Sequence, residues 1–303
     1  MKFRALCLNL IVSHKEGENM ENEWTAYHVF IWDYSVLDDF IINLYEKLSP
    51  SQQNNIFFIR YWEGSPHVRI RFRNIEKELV KRAVNSSLKY LDHKYPYLRD
   101  VVLDKREFYS QTYTDGEEFE IDKLPWFENF SVKEIPYSRE VERYGGIEGM
   151  KLSEELFVKS SMIVDKILKI KPNNIQKTIL FFGIVSFIVS TVFDDFRDKK
   201  DFFIMSSGFW EMQGLTPSFS NEKSSKIFEL SKSTKQNGLF EEMSIDLKEL
   251  YRVIKKKDRR YGISVVNSHI HMFANRFGVP INTELACYRF FREYLGEQNH
   301  VVR

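Results

Sequence analysis

Three basic side chains, His67, Arg69 and Arg71, alternate along the stretch from Gly64 to Phe72, just after the apolar run Ile56–Ile59. In an extended strand, successive side chains point to opposite faces, so these three share one face and Val68, Ile70 and Phe72 the other. The two guanidiniums then stand about 7 Å apart, from a rise of about 3.3 Å per residue. Forks that close repel unless an anion lies between them, and each can grip a carboxylate through two hydrogen bonds. The pattern fits a solvated basic strand face or a substrate-anion site. A second polar cluster runs from Tyr137 to Gly146. If it is helical, Glu140 and Arg143 lie one turn apart, and the Gly145–Gly146 pair ends the turn or lets the backbone approach something closely. An ordinary surface ion-pair turn has the same sequence signature. The third cluster is a helix over Tyr261–Phe277, where Asn267, His271 and Asn275 stack at i, i+4 and i+8 between Val266, Ile270, Phe273, Ala274 and Phe277. Polar groups amid that much apolar surface must be satisfied or face a cavity. His271 is thus either a hydrogen-bonded core residue or a proton carrier. His269 and His271 diverge on a helix and no third ligand has suitable spacing, so no metal site is expected.

Composition narrows the function classes. Forty-four Lys and Arg oppose 43 Asp and Glu in 303 residues, a net charge of +1, so no global field favours nucleic acid and a charged partner must meet a local patch. Aromatics at 15% indicate a well-packed globular chain. Cys7 and Cys287 form no framework or ligand spacing, which fits a reducing cytoplasm. The sequence holds no dinucleotide glycine fingerprint, Walker loop, nucleophile elbow or Cys-x-x-Cys, so no cofactor is expected. The longest apolar run, Thr178–Phe193, falls short of a membrane span and predicts a buried core helix.

The elements that must carry the clusters follow from periodicity. Trp24–Trp32 reads as a strand, Ser35 as the cap of a helix over Val36–Leu48, and Ile56–Trp62 with Val68–Phe72 as a hairpin closed by residues 63–66. Ile75–Leu91 predicts an amphipathic helix, Val101–Asp104 and Arg106–Thr112 predict strands, and acidic Asp115–Glu120 a loop or edge. Beyond Lys151, helices are expected over Leu152–Leu168, Ile175–Phe193, Phe202–Met212, Lys223–Ser231, Ser244–Lys255, Gly262–Phe277 and Thr283–Leu295. Strands first and helices second indicate an α+β fold: a strand-rich N-terminal half with a mostly antiparallel sheet, and a helix-rich C-terminal half packed against it. Residues 1–21 are expected to be a flexible extension and 22–303 a single domain.

In order and separation, these clusters resemble the C-terminal elimination domain of class I lantibiotic dehydratases, known in stand-alone form as the thiopeptide-type bacteriocin biosynthesis protein. The likeness rests on Phe58–Tyr61 leading to His67–Phe72, on Tyr137–Gly146, on the helix with Met150, Glu154, Phe157 and Ser161, and on His271, Met272, Asn275 and Arg276; it covers about residues 22–295. Arg139 departs from it, standing where the family usually has Pro. The resemblance implies that a partner esterifies Ser or Thr of a ribosomal precursor peptide with glutamate from glutamyl-tRNA. This domain would then eliminate the glutamate, leaving dehydroalanine or dehydrobutyrine. It implies catalytic roles for Arg71, Arg143 and His271 and substrate binding by Arg69, Glu140 and Asn275. Guanidiniums suit the developing enolate-like charge and the departing carboxylate, and an imidazole suits the Cα proton.

A related reading is a pyridine synthase, which joins two dehydroalanines by a formal [4+2] cycloaddition and releases the leader; the full Arg/Arg/His set favours elimination. A reading of another class is a non-catalytic peptide-binding subunit of a dehydratase complex. The expected partners are the precursor peptide and a glutamyl-tRNA-dependent glutamylating subunit, with a homodimer compatible with the family. No direct nucleic-acid binding and no membrane span are expected.

Overall fold

Strand β1 (Thr25–Phe30) forms where aromatic and β-branched residues cluster, and β2 (Ile56–Tyr61) and β3 (His67–Phe72) form the expected hairpin. The computed structural model describes residues 24–111, 120–233 and 237–301. The expected 1–21 extension, Thr112 and residues 115–119 of the acidic stretch lie outside the described residues. Tyr61 opposes His67 across the hairpin, whose turn needs left-handed backbone at Gly64 and Ser65. With β4 (Val132–Glu134) the strands make one antiparallel sheet in the order β2-β3-β1-β4.

Alternation assigns the two faces. Tyr27, Val29, Ile56, Phe58, Val68, Ile70 and Phe72 join one apolar core with helices α1 (Leu37–Glu46) and α3 (Lys77–Lys94). The opposite face presents Phe57, Arg69 and Arg71, and Phe57 packs into a second, smaller core with Trp24, Tyr144, Met150, Phe157 and Val158. The sheet therefore separates the main apolar core from a largely buried basic and aromatic face.

Two local expectations are corrected. Ser35 is not a cap: Asp33 caps a short 3-10 turn over Tyr34–Val36, accepting from the Ser35 N–H at 2.8 Å, and α1 starts only at Leu37. Asp is the better acceptor for a first turn, being charged opposite the exposed N–H groups. Residues 101–104 have no regular structure, and 105–111 form helix α4 (Lys105–Gln111), not a strand. Asp104 accepts from the Glu107 N–H at 2.8 Å at its start, and the helix turns Tyr109 inward to bond Gly64 N–H and Pro125 C=O. Between α1 and β2, Ser49 caps the four-residue α2 (Pro50–Gln53) in a capping box with Gln52.

The C-terminal half contains α5 (Gly146–Leu168), α6 (Asn174–Val192), α7 (Phe196–Met212), α8 (Asn221–Lys232), α9 (Asn237–Lys255), α10 (Arg259–Phe277) and α11 (Ile281–Val301). By length and composition α6 could cross a membrane, yet Phe181, Phe182, Val185, Ile188 and Val189 are buried within the protein, as expected of a core helix.

Helices and sheet meet along the outer edge of β2. An edge strand leaves every second N–H and C=O without a ladder partner. Here Ser161 on α5 accepts from Phe58 N–H, Arg276 on α10 donates Nε–H to Phe58 C=O, and Asn275 bonds both the N–H and the C=O of Arg60 at 2.9 Å. Side chains thus replace a fifth strand and fix α10 beside the basic face.

Candidate functional site

Arg71 and Arg276 are buried cations without a carboxylate partner among the described residues, Arg276 donating to Phe58 C=O and lying 5.1 Å from the Phe157 ring centroid, whereas several other arginines are paired. Arg60 pairs with Asp38 at 2.6 Å, Arg139 with Glu154 at 2.7 Å, and Arg292 with Glu211 at 2.9 Å. Arg69 instead lies on the Tyr61 ring, 3.4 Å from its centroid, and donates Nε–H to Nε2 of His67 at 3.1 Å. Its nearest carboxylate oxygen, on Glu63, stands 3.9 Å away. Arg71 lies 4.8 Å from the Tyr137 ring centroid and 5.4 Å from that of Phe57. Among the described residues it pairs with no carboxylate, and its buried Nε has no hydrogen-bond partner. Burial pulls its pKa down to about 10, with Arg69 adding in the same direction, so it remains charged at neutral pH. Arg71 keeps charge that a paired arginine would have neutralised, and Arg69 is met only by the long Glu63 contact at 3.9 Å.

His67 makes this possible. It is fully buried, and its Nδ1 lies 2.8 Å from Ser65 C=O. That contact puts the proton on Nδ1 and leaves Nε2 to accept from Arg69. Burial lowers its pKa to about 3, and Arg69 and Arg71 press the same way. His28, stacked on it with 4.9 Å between ring centroids, is lowered to about 2 by burial and then Arg69. A neutral imidazole can orient a guanidinium without cancelling it.

Glu140 precedes, and Arg143 lies within, a 3-10 turn over Val141–Tyr144, and the two form an ion pair of 2.9 Å. Arg143 Nε also donates to Ser268 Oγ on α10 at 3.3 Å. The turn is pinned to the start of α10 because Tyr261 Oη accepts from Gly145 N–H and donates to Glu142 C=O. Gly145 has φ +94°, which favours glycine, and a Cβ there would lie 2.4 Å from Ile254 Cδ1 and have to displace the tip of that side chain. Arg139 and Glu154 clamp the preceding loop onto α5. The Glu140 carboxylate acts electrostatically on both Arg69 and Arg71, which brings the two sequence clusters to one place.

His271 belongs to the same face of α10, one turn beyond the Ser268 that holds Arg143 and one turn before the Asn275 that holds β2. Ser264, Asn267, Ser268, His271, Met272 and Asn275 form the half-exposed stripe of α10, whose other faces are largely buried beyond its first turn. No hydrogen bond joins His271 to the arginines among the described residues. Its Nδ1 lies 2.9 Å from Oε2 of Glu284, at the start of α11, and its ring is 5.2 Å from that of Trp210 on α7. Of the expected substrate-binding residues, Arg69 and Glu140 sit in the cluster, whereas both ends of the Asn275 amide are engaged by Arg60. His269 points the other way, toward Ser153 Oγ at 3.0 Å, and burial lowers its pKa to about 3. The described residues contain no group of three or more metal-ligating side chains.

The arrangement offers two cations for an anion, a third on a tethered turn, and an imidazole whose Nε2 is unengaged. Sequence reasoning missed Glu284, Tyr61 and Tyr137 as parts of the site and took His67 only for a basic group. The alternation that places His67 beside Arg69 was the available signal for it. Glu284 gave none, since only packing of α11 brings it to His271.

Comparisons with known proteins agree with this architecture. A family model described as lantibiotic biosynthesis dehydratase C-term matches residues 24–295. The subtilin biosynthesis protein SpaB of Bacillus subtilis is 28% identical over 151 residues, 49% of this chain; the match spans only 12% of SpaB. Among solved structures, the pyridine synthase TbtD from thiomuracin biosynthesis is similar with a TM-score of 0.61 at 13% identity, over 91% of this chain and 98% of TbtD. The tRNA-dependent lantibiotic dehydratase MibB from Microbispora sp. 107891 gives 0.57 at 15% identity, over 95% of this chain but 29% of MibB. TsrL gives 0.59 at 12% identity, over 92% and 95% of the two chains. At these identities the structures share the fold. On the family match, which covers nearly the whole described length, the chain belongs to the lantibiotic dehydratase C-terminal family, with a role in the biosynthesis of modified ribosomal peptides.

Proposed function

We propose that this chain eliminates glutamate from glutamylated Ser or Thr of a ribosomal precursor peptide. The observation that supports the reading is the pair Arg69 and Arg71 on one strand face, held by an imidazole and aromatic rings, with Arg71 paired to no carboxylate among the described residues; Arg276, also without one, is instead engaged by Phe58 C=O. Burying unneutralised charge is costly, and an anionic substrate offsets that cost. In the reaction, Nε2 of His271 takes the Cα proton, the electrons of that bond form the Cα=Cβ bond, and the Cβ–O bond breaks. Glutamate leaves as a carboxylate beside Arg71 and Arg143, with Arg69 in support. Glu140 holds Arg143 in place and faces the glutamyl ammonium. A glutamylating partner supplies the ester.

A pyridine-synthase reading has one observation in its favour, that the chain covers nearly all of TbtD. Incubating the protein alone with a pre-glutamylated peptide, and separately with a dehydrated linear peptide, distinguishes the two by mass. Glutamate loss at each modified residue is expected from the first. Leader release from the second, with the first unchanged, would overturn elimination, and no change in either would leave the docking-subunit reading. His271→Ala should leave glutamylated peptide accumulating; unchanged elimination would remove His271 from the reaction.

A further inference from the structure

We propose that Glu284 is a positioning residue that fixes the tautomer and orientation of His271 for proton transfer, an inference that rests on the elimination reading. Glu284 is 1% exposed at the start of α11. One of its oxygens lies 2.9 Å from His271 Nδ1, and the other accepts from Trp210 Nε1–H at 3.4 Å. The other groups near it, Cys287 and Tyr288, are buried neutral side chains of α11, and the carboxylate contributes to the upward push on both pKa values after burial.

Comparison with the other buried carboxylates sharpens the point. Asp198 is 1% exposed and meets Lys255 and Arg259; Glu154 meets Arg139; Asp165 meets Lys169. Among the described residues Glu284 has no Lys or Arg partner, and its one basic partner is His271. A carboxylate withdrawn from water at one imidazole has a specific electrostatic consequence. It holds the Nδ1 proton, leaves Nε2 as the basic nitrogen, and stabilises the imidazolium that forms when Nε2 accepts the Cα proton. Three elements meet for this purpose: α10 carries the imidazole, α11 the carboxylate and α7 the indole.

The test compares Glu284→Gln and Glu284→Asp with the unaltered chain, using pre-glutamylated peptide and 15N spectra of the histidine rings. Gln keeps shape and loses charge, so kcat is expected to fall at least about 100-fold. KM should stay within about twofold, and the acidic limb of the rate profile should move to lower pH. The His271 ring should lose its fixed Nδ1–H tautomer in the spectra. Asp keeps the charge and should restore part of kcat and the position of the acidic limb. A Gln variant with a native melting curve, unchanged kcat and an unchanged His271 tautomer would overturn the proposal. If the Gln variant does not fold, the Asp variant carries the test through its rate profile and ring spectra. Should the unaltered chain fail to eliminate glutamate, the reaction reading fails, while the ring spectra still report whether Glu284 sets the tautomer.

Discussion

Asn275 bonds both the N–H and the C=O of Arg60, so one amide joins the central helix α10 to the edge strand β2. The contact spans 215 residues of sequence. Asn275→Ala leaves two main-chain groups at a largely buried edge without partners. A loss of about 2–4 kcal/mol is expected, read as a lower urea midpoint at an unchanged slope.

Arg71 should reveal a conflict between stability and activity. It is buried against Tyr137 and Phe57 and, among the described residues, forms no ion pair with a carboxylate. Arg71→Met keeps the volume and removes the buried charge. Stability is expected to rise by about 1–3 kcal/mol while glutamate release falls by more than about 100-fold. Thermal melts and peptide mass spectra check both halves, and a variant that is both less stable and fully active would contradict the anion-site reading.

Acid should weaken the fold through three buried histidines. His28, His67 and His269 have pKa values lowered to about 2, 3 and 3. In the unfolded chain each titrates near 6.5, so below that pH the unfolded state binds protons that the folded state refuses. The penalty is absent above about pH 7, and each ring adds about 1.4 kcal/mol per pH unit as pH falls from 6.5 toward its folded value. Denaturant midpoints at pH 7.5, 6 and 5 should decline accordingly, and His269→Gln should flatten the slope by about one ring's share.

Gly145→Ala should disturb the Arg143 turn. A methyl group there strains the left-handed backbone and pushes the tip of Ile254, 2.4 Å away, out of its place. A loss of about 1–3 kcal/mol is expected, together with weaker retention of glutamylated peptide, because the Glu140–Arg143 pair moves with the turn. Gly146→Ala serves as the control: it meets no atom within 4 Å, so strain from its φ of +81° acts there without a clash.

The hairpin was legible because alternation over residues 67–72 and a glycine-containing turn report local geometry directly. Helix α4 was not, because the adjacent Phe108 and Tyr109 imitate a strand, while the deciding Asp104 cap is a single hydrogen bond. The expectation that Arg71, Glu140 and Arg143 share one site came from family likeness and not from spacing, since the segments are far apart in sequence. Glu284 lay beyond reach of both. An acidic residue in the first turn of a helix has a sufficient local explanation in the helix dipole, and nothing in the sequence marks His271 as its partner.

The side-chain brackets along β2 limit how a peptide can be received. With its outward rungs occupied by Ser161, Asn275 and Arg276, the strand has no free ladder for an incoming chain to join. On the proposed elimination reading, recognition at this edge would fall on the acyl group attached to a side chain and not on the main chain. A catalyst built that way would tolerate varied neighbours around each modified residue, and could treat successive positions of one substrate without a fixed register.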